Sequence, residues 1–130
     1  MGSGPRSPGT ASSSLPWTLY SSCHVAILND IRTALRSGQY RVSLHAAEEM
    51  LADELSESQV LIATDSGEVI EDYPSAFPFP ACLMLGHTPE SVPIHAVWAF
   101  EAGACYAVLI TVYKPEPARW TVDLRTRVKR

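Results

Sequence analysis

Pro93-Ile-His-Ala-Val-Trp-Ala-Phe100 and Cys105-Tyr-Ala-Val-Leu-Ile-Thr-Val-Tyr-Lys-Pro115, joined by Glu101-Ala-Gly-Ala104, decide the fold. Both runs are rich in Val, Ile, Trp, Tyr and Phe, which suit a pleated, buried surface. The short connection containing Gly103 reads as the turn of a β-hairpin. Alternate residues of a strand face the same way. Ile94, Ala96, Trp98 and Phe100 therefore share a face, as do Tyr106, Val108, Ile110 and Val112. If Phe100 pairs with Tyr106, these eight form one broad apolar face. The same register sets His95 opposite Thr111, with Tyr113 beside them on the other face. A slip of one residue would split the apolar set, so its burial favours this register.

Working outward, 130 residues suffice for one domain with a real core. The longest apolar runs are of strand length, too short to span a membrane. No charged segment followed by an apolar one marks a secretory signal. Cys23, Cys82 and Cys105 are odd in number and far apart, which suits reduced thiols and a cytoplasmic location rather than a disulfide scaffold. The net charge of −4 is unevenly spread. No Lys or Arg lies between Val42 and Tyr113, against eleven Asp or Glu. Arg32, Arg36 and Arg41 precede that stretch. Lys114, Arg119, Arg125, Arg127, Lys129 and Arg130 follow it. Should the two ends converge, they would form a basic edge suited to phosphates. Ordinary solvated helix surface and tail is the simpler reading.

Residues 1 to about 16 are Gly, Ser, Pro, Thr and Ala with little else, so a disordered tail is expected over residues 1–20. Trp17, Leu19 and Tyr20 could tack its end onto the domain, which occupies residues 21–130. From Ser22 to Ser37, Ile27, Leu28, Ile31, Ala34 and Leu35 recur at three and four, predicting an amphipathic helix that Gly38 stops. Ser43 reads as the N-cap of a second helix to about Glu54, with an apolar stripe of Leu44, Ala47, Met50 and Leu51. His45 and Glu49 share one side of it. Ser56 to Gln59 form a capping box that opens a third, short helix. Val69–Tyr73 and Ala81–Leu85 read as strands around a Pro-rich loop holding Phe77 and Phe79. Pro115 and Pro117 exclude a regular strand at the C-terminus. The sum is an α+β fold, with about three N-terminal helices on one face of a four-stranded antiparallel sheet.

Ser43-Leu-His45-Ala-Ala-Glu-Glu-Met50, Gly67-Glu-Val-Ile-Glu71-Asp-Tyr73-Pro74, Phe79-Pro-Ala-Cys-Leu-Met-Leu-Gly86, Pro93-Ile-His95, Thr111-Val-Tyr113-Lys-Pro115 and Trp120 carry a resemblance. Over about residues 27 to 127 the chain resembles a bacterial domain family of unassigned function. That family is similar to the RelE, BrnT and MqsR toxins of the barnase-EndoU-colicin-RelE nuclease grouping. The resemblance implies a RelE-like fold. It also implies the toxin component of a type II toxin-antitoxin module, a metal-independent endoribonuclease encoded beside a small antitoxin protein of zinc-finger type.

Cleavage of RNA without a metal or other cofactor needs a base for the 2′-hydroxyl, an acid for the leaving oxygen and donors for the phosphate charge. His45 and His95 titrate near neutral pH and are the candidate base and acid. Thr111 and Tyr113 are candidate hydrogen-bond donors. Arg41 and Arg119 are candidate phosphate ligands, and Trp120 a candidate contact for the substrate. A lone His on a helix or strand is as often a satisfied structural residue. The toxins resembled use several Lys and Arg at their sites, and the stretch from Val42 to Tyr113 has none.

Other readings stand beside this one. His45, Glu49 and His95, with Glu71 or Asp72, could hold a divalent metal, though no dense ligand motif is present. Glu68 to Asp72 could dock a basic partner. Phe77, Phe79 and Trp120 could be a base-stacking platform or simply packing. Cys82, between Ala81 and Leu83, reads as a buried hydrophobe. The alternative to an enzyme is a non-catalytic RelE-like interaction domain.

Overall fold

The structure is a computed structural model and describes residues 27–128. The expected tail, Trp17, Leu19, Tyr20 and Cys23 lie outside the described residues, as does the start of the first predicted helix. Helix α1 covers residues 27–36 and ends in a turn where Gly38 takes φ +75°, a conformation that favours glycine. Strand β1 (Tyr40–Val42) leads into α2 (Leu44–Ala52) and α3 (Glu57–Asp65). Four strands follow: β2 (Glu68–Tyr73), β3 (Ala81–His87), β4 (Pro93–Glu101) and β5 (Tyr106–Tyr113). The capping residues act as the sequence predicts. The Ser43 hydroxyl accepts from the Ala46 amide, and Ser56 and Gln59 form a reciprocal capping box. Among the described residues no helix is long and apolar enough to cross a membrane.

The sheet corrects the four-stranded antiparallel expectation. It has five strands in the order β1-β5-β4-β3-β2, and β1 runs parallel to β5 while the other pairs are antiparallel. Strand β1 escapes a sequence reading because it is three residues long, squeezed between a helix-stopping glycine and a helix N-cap. Its pattern is nonetheless legible. Tyr40 and Val42 pack on the core while Arg41 between them is exposed.

The hairpin register also differs. Phe100 pairs with Ala107 and Glu101 with Tyr106, so the loop is one residue tighter than expected. The ladder then steps from Trp98–Leu109 to Val97–Thr111, leaving Ile110 as the extra residue of a β-bulge. His95 consequently sits opposite Tyr113, not Thr111. The core face of β5 is Ala107, Leu109 and Val112 rather than Tyr106, Val108, Ile110 and Val112. The shifted turn brings Ala107 and Leu109 to the face of Trp98, and the mid-strand bulge returns Val112 to it; Trp98 and Val112 are fully enclosed.

The helices contribute Ile31, Ala34, Ala46, Met50, Val60 and Ala63 to that core. In α2 the buried residues are Ala46 and Met50; Leu44 and Leu51, expected in its apolar stripe, are 77% and 81% exposed. Helix α3 approaches β3 closely. A Cβ on Gly86 would stand 2.2 Å from the Ala63 carbonyl oxygen, so only glycine lets the two backbones meet. Trp98 Nε1 donates to Thr64 Oγ1 at 3.0 Å, which satisfies the one polar atom of the largest enclosed side chain.

The other sheet face carries three rows: Glu68-Leu85-His95-Tyr113, Glu71-Leu83-Val97-Thr111 and Tyr73-Ala81-Ala99-Val108. Residues 115–128 fold over the end that holds His95 and Tyr113. An isolated bridge joins Trp120 to Arg127 within this strap, and two forked ion pairs fasten it to β2. Arg125 donates to Glu68 at 2.9 and 2.7 Å, and Arg127 donates to Glu71 at 3.0 and 3.1 Å. Ile70 is the extra residue of a second bulge, which brings Glu68 and Glu71 to the same face. The segregated charge of the sequence is thus in part an internal match: the acidic β2 docks Arg125 and Arg127 of the chain's own strap.

Candidate active site

His95 is fully buried beneath the strap. Its Nε2 lies 2.8 Å from the Leu124 carbonyl oxygen and its Nδ1 3.3 Å from the Tyr113 hydroxyl. A carbonyl only accepts, so Nε2 carries the proton and Nδ1 is left to accept from Tyr113. The Trp120 ring stands edge-on to the imidazole at 4.3 Å between centroids, and that of Tyr113 at 5.4 Å. Arg127 lies over Trp120 at 4.7 Å. Burial depresses the His95 pKa below its ordinary value, while the hydrogen bond to Leu124 opposes the shift. Burial likewise raises the Tyr113 hydroxyl above its ordinary range.

Tyr113 also lines a cleft of about 450 Å³, together with Asp53, Lys114, Glu116, Arg119, Trp120 and Arg127. Three of the sequence-predicted residues, Tyr113, Arg119 and Trp120, therefore meet around one cavity, with His95 directly behind. Lys114 and Arg127 are additions that the sequence reading left in a general basic tail. Arg119 pairs with Glu116 at 2.8 Å and Arg127 with Glu71. Trp120 is only 5% exposed, so it backs the cleft rather than offering a stacking platform. Phe77, by contrast, is 96% exposed and lies apart from it.

Thr111 and His45 meet through a carboxylate instead of through His95. Glu49 Oε1 accepts from the Thr111 hydroxyl in a short bond and from the Val112 amide at 3.0 Å, and lies 3.4 Å from His45 Nε2. One helical turn later, Asp53 accepts from the Lys114 amide at 2.8 Å. Strand β5 runs past the end of β1, and α2 supplies acceptors for amides that would otherwise lack a ladder partner. The spacing of Glu49 and Asp53, four apart on a helix, matches amides two apart on a strand. His45 itself is two-thirds exposed.

The expected pairing of His45 and His95 as base and acid is not the arrangement seen. His45 faces solvent beside Glu49, while both His95 nitrogens are engaged by Tyr113 and Leu124. Those contacts also keep His95 from joining His45 and Glu49 in a metal site. Among the described residues no group of three or more His, Cys, Asp or Glu is placed to hold a metal ion. Arg41 lies away from the Tyr113 cleft, in a separate groove across the sheet. Cys82 is buried, and burial pushes its thiol up to about 12. Tyr73 is raised to about 12 by burial and by the Glu71 carboxylate it bonds. Burial would raise Glu71 too, but the hydrogen bonds from Arg127 and Tyr73 outweigh it and hold Glu71 below the usual carboxylate range.

No curated protein and no solved structure gives a significant match to the chain. Residues 42–114 match the family described as domain of unknown function DUF4258, a span from the end of β1 to Lys114. With more than half of its 130 residues inside that match, the chain belongs to the DUF4258 family.

Proposed function

We propose that this domain is the toxin-like half of a two-gene module and that it cleaves RNA at the Tyr113 cleft without a metal ion. The observation that carries the reading is Tyr113, which lines a cleft with Lys114, Arg119 and Arg127 and whose hydroxyl bonds the unprotonated Nδ1 of His95. In the proposed step the Tyr113 oxygen takes the proton of a ribose 2′-hydroxyl as its own proton passes to Nδ1. The 2′-oxygen then attacks phosphorus, the bond to the 5′-oxygen breaks, and water protonates the leaving oxygen. Lys114 and Arg119 face the phosphate charge that builds up. The hydrogen bond from Nε2 to Leu124 and the nearby Glu71 support the cation formed on His95. The motifs around His45, Tyr73, His95 and Tyr113 resemble a family of unassigned function that is in turn similar to RelE-type toxins, and this supports the same reaction class. A short single-stranded RNA incubated with the protein in excess chelator tests it. Cleavage should occur, and Tyr113→Phe should slow it by roughly 10²–10⁴. Undiminished cleavage by Tyr113→Phe would remove Tyr113 from the mechanism.

A second reading, a non-catalytic interaction domain, draws on one observation. Arg119 and Arg127 are each already matched by a carboxylate, which leaves Lys114 as the cleft cation with no ion pair among the described residues. Folded protein that cleaves no RNA yet binds the product of the neighbouring gene would favour it.

A further inference from the structure

The half of the outer sheet face that the strap leaves open holds a groove of about 260 Å³. Its walls are apolar: Val97, Val108 and Ile110 from the sheet, with Phe77 and Phe79 from the Pro-rich loop. Ile110 is 39% and Phe77 96% exposed, so the groove presents large hydrophobic side chains to solvent. Its one charged lining residue is Arg41. Arg32 donates to the Gly67 carbonyl, Arg36 pairs with Asp65, Arg119 with Glu116, Arg125 with Glu68 and Arg127 with Glu71. Among the described residues Arg41 alone of the arginines has neither an ion pair nor a hydrogen bond to its side chain.

We propose that this groove docks an extended segment of a partner protein, one that seats an apolar side chain beside Ile110 and Phe77 and gives an Asp or Glu to Arg41. A single unpaired guanidinium at the rim of an apolar trough matches one carboxylate next to one hydrophobic anchor. Strand β1 ends the sheet, so a segment laid along it would send alternate side chains toward the groove. Nucleic acid fits less well, since its affinity comes from several phosphate contacts and only one cation is present. The chain's own residues 1–26 contain no Asp or Glu, so they cannot supply the acid. The proposal is independent of cleavage at Tyr113.

The probe is a blocked peptide, acetyl-Ser-Asp-Phe-Leu-Ser-amide, titrated into the full chain while amide resonances are followed. A twin with Lys in place of Asp serves as control. Shifts should centre on Val97, Ala99, Val108 and Ile110, and the acidic peptide should bind about fivefold tighter than its twin. Arg41→Glu should reverse that order; the residue is exposed, so the fold tolerates the change. Absence of shifts at the groove at millimolar peptide, or equal binding of the two peptides, overturns the proposal. So does an octauridylate that moves the same resonances more strongly than the peptide. Groove resonances that move on Trp17→Ala, with peptide binding appearing only in that variant, would make the chain's own segment the occupant and overturn it as well.

Discussion

The Nε2 of His95 lies 2.8 Å from the carbonyl oxygen of Leu124, 29 residues along the chain. This contact joins the middle of the sheet to the C-terminal strap and sets the proton of the neutral imidazole on Nε2. Burial of that imidazole makes the strap sensitive to acid. Because the folded pKa of His95 is below its ordinary 6.5, the unfolded chain takes up a proton first as pH falls. Stability should therefore decline as pH drops below about 6.5, toward the depressed folded value. A further loss should follow below about 4.5, as Glu68 and Glu71, both held below that ordinary value, protonate and release Arg125 and Arg127. Thermal midpoints measured from pH 8 to pH 3 should show both declines. His95→Gln should abolish the first and keep the second. A midpoint flat between pH 7 and pH 5 in the wild type would contradict the buried neutral assignment.

The two forked ion pairs should govern how often the strap lifts. Both are solvent-exposed and screened by salt, so their effect is local rather than global. Glu68→Gln with Glu71→Gln should speed amide exchange across residues 120–128 severalfold and leave β4 and β5 protected. Raising salt on the wild type should mimic the double variant in part. Equal exchange in both proteins would show that Trp120 and Leu124 hold the strap unaided.

Trp98 anchors the opposite face. It is fully enclosed, stands edge-on to Tyr40 and donates to Thr64. Trp98→Ala should cost about 3–5 kcal/mol in urea unfolding, a large share of what a small domain has. A midpoint unchanged by the substitution would show that Trp98 is not the core anchor.

Gly86 offers a sharper test of the α3–β3 packing. Gly86→Ala drives a methyl group against the Ala63 carbonyl, which is backbone and cannot rotate away. The expected loss is about 3 kcal/mol. Gly103→Ala, with nothing within 4 Å of its added carbon, should be near neutral and serves as the control. Equal stability of the two variants would mean that the helix sits farther from the sheet.

These contacts show what a single sequence can and cannot display. The helices, the capping box, four of the strands and the burial of Trp98 and Cys82 follow from periodicity and composition, because each is a local pattern. The bulges at Ile70 and Ile110 do not, since a two-residue alternation carries no mark of where an extra residue enters. The bulge in β5 decides that His95 faces Tyr113 rather than Thr111. The partners of Thr111 and Val112 were equally hidden, because Glu49 reads as an ordinary helix-surface acid until β5 is seen to outrun β1. The matching of the basic tail to Glu68 and Glu71 had a visible sign in the charge segregation. Sequence alone could not say whether those charges face each other or an external ligand.

The pH dependence of cleavage separates the two chemistries that histidines could supply. Two histidines sharing base and acid roles would give a bell, since one must be neutral and the other protonated. The geometry at Tyr113 leads elsewhere. His95 must be neutral for its Nδ1 to receive the tyrosine proton, so the rate should rise with pH through the depressed His95 pKa, below 6.5. The next limiting event on the alkaline side is loss of the Tyr113 proton, which burial places above 10. Between those limits the rate should be level, without a fall near neutrality. His95→Gln keeps an amide that can donate to Leu124 but offers no base at the Nδ1 position. It should lower the plateau by roughly 10²–10⁴ and erase the acid limb. His45→Gln should leave the shape unchanged, because His45 contacts Glu49 and takes no part in the proposed step. A bell centred near neutrality that loses one limb in His45→Gln would return the reaction to a two-histidine mechanism and remove Tyr113 from the proton path.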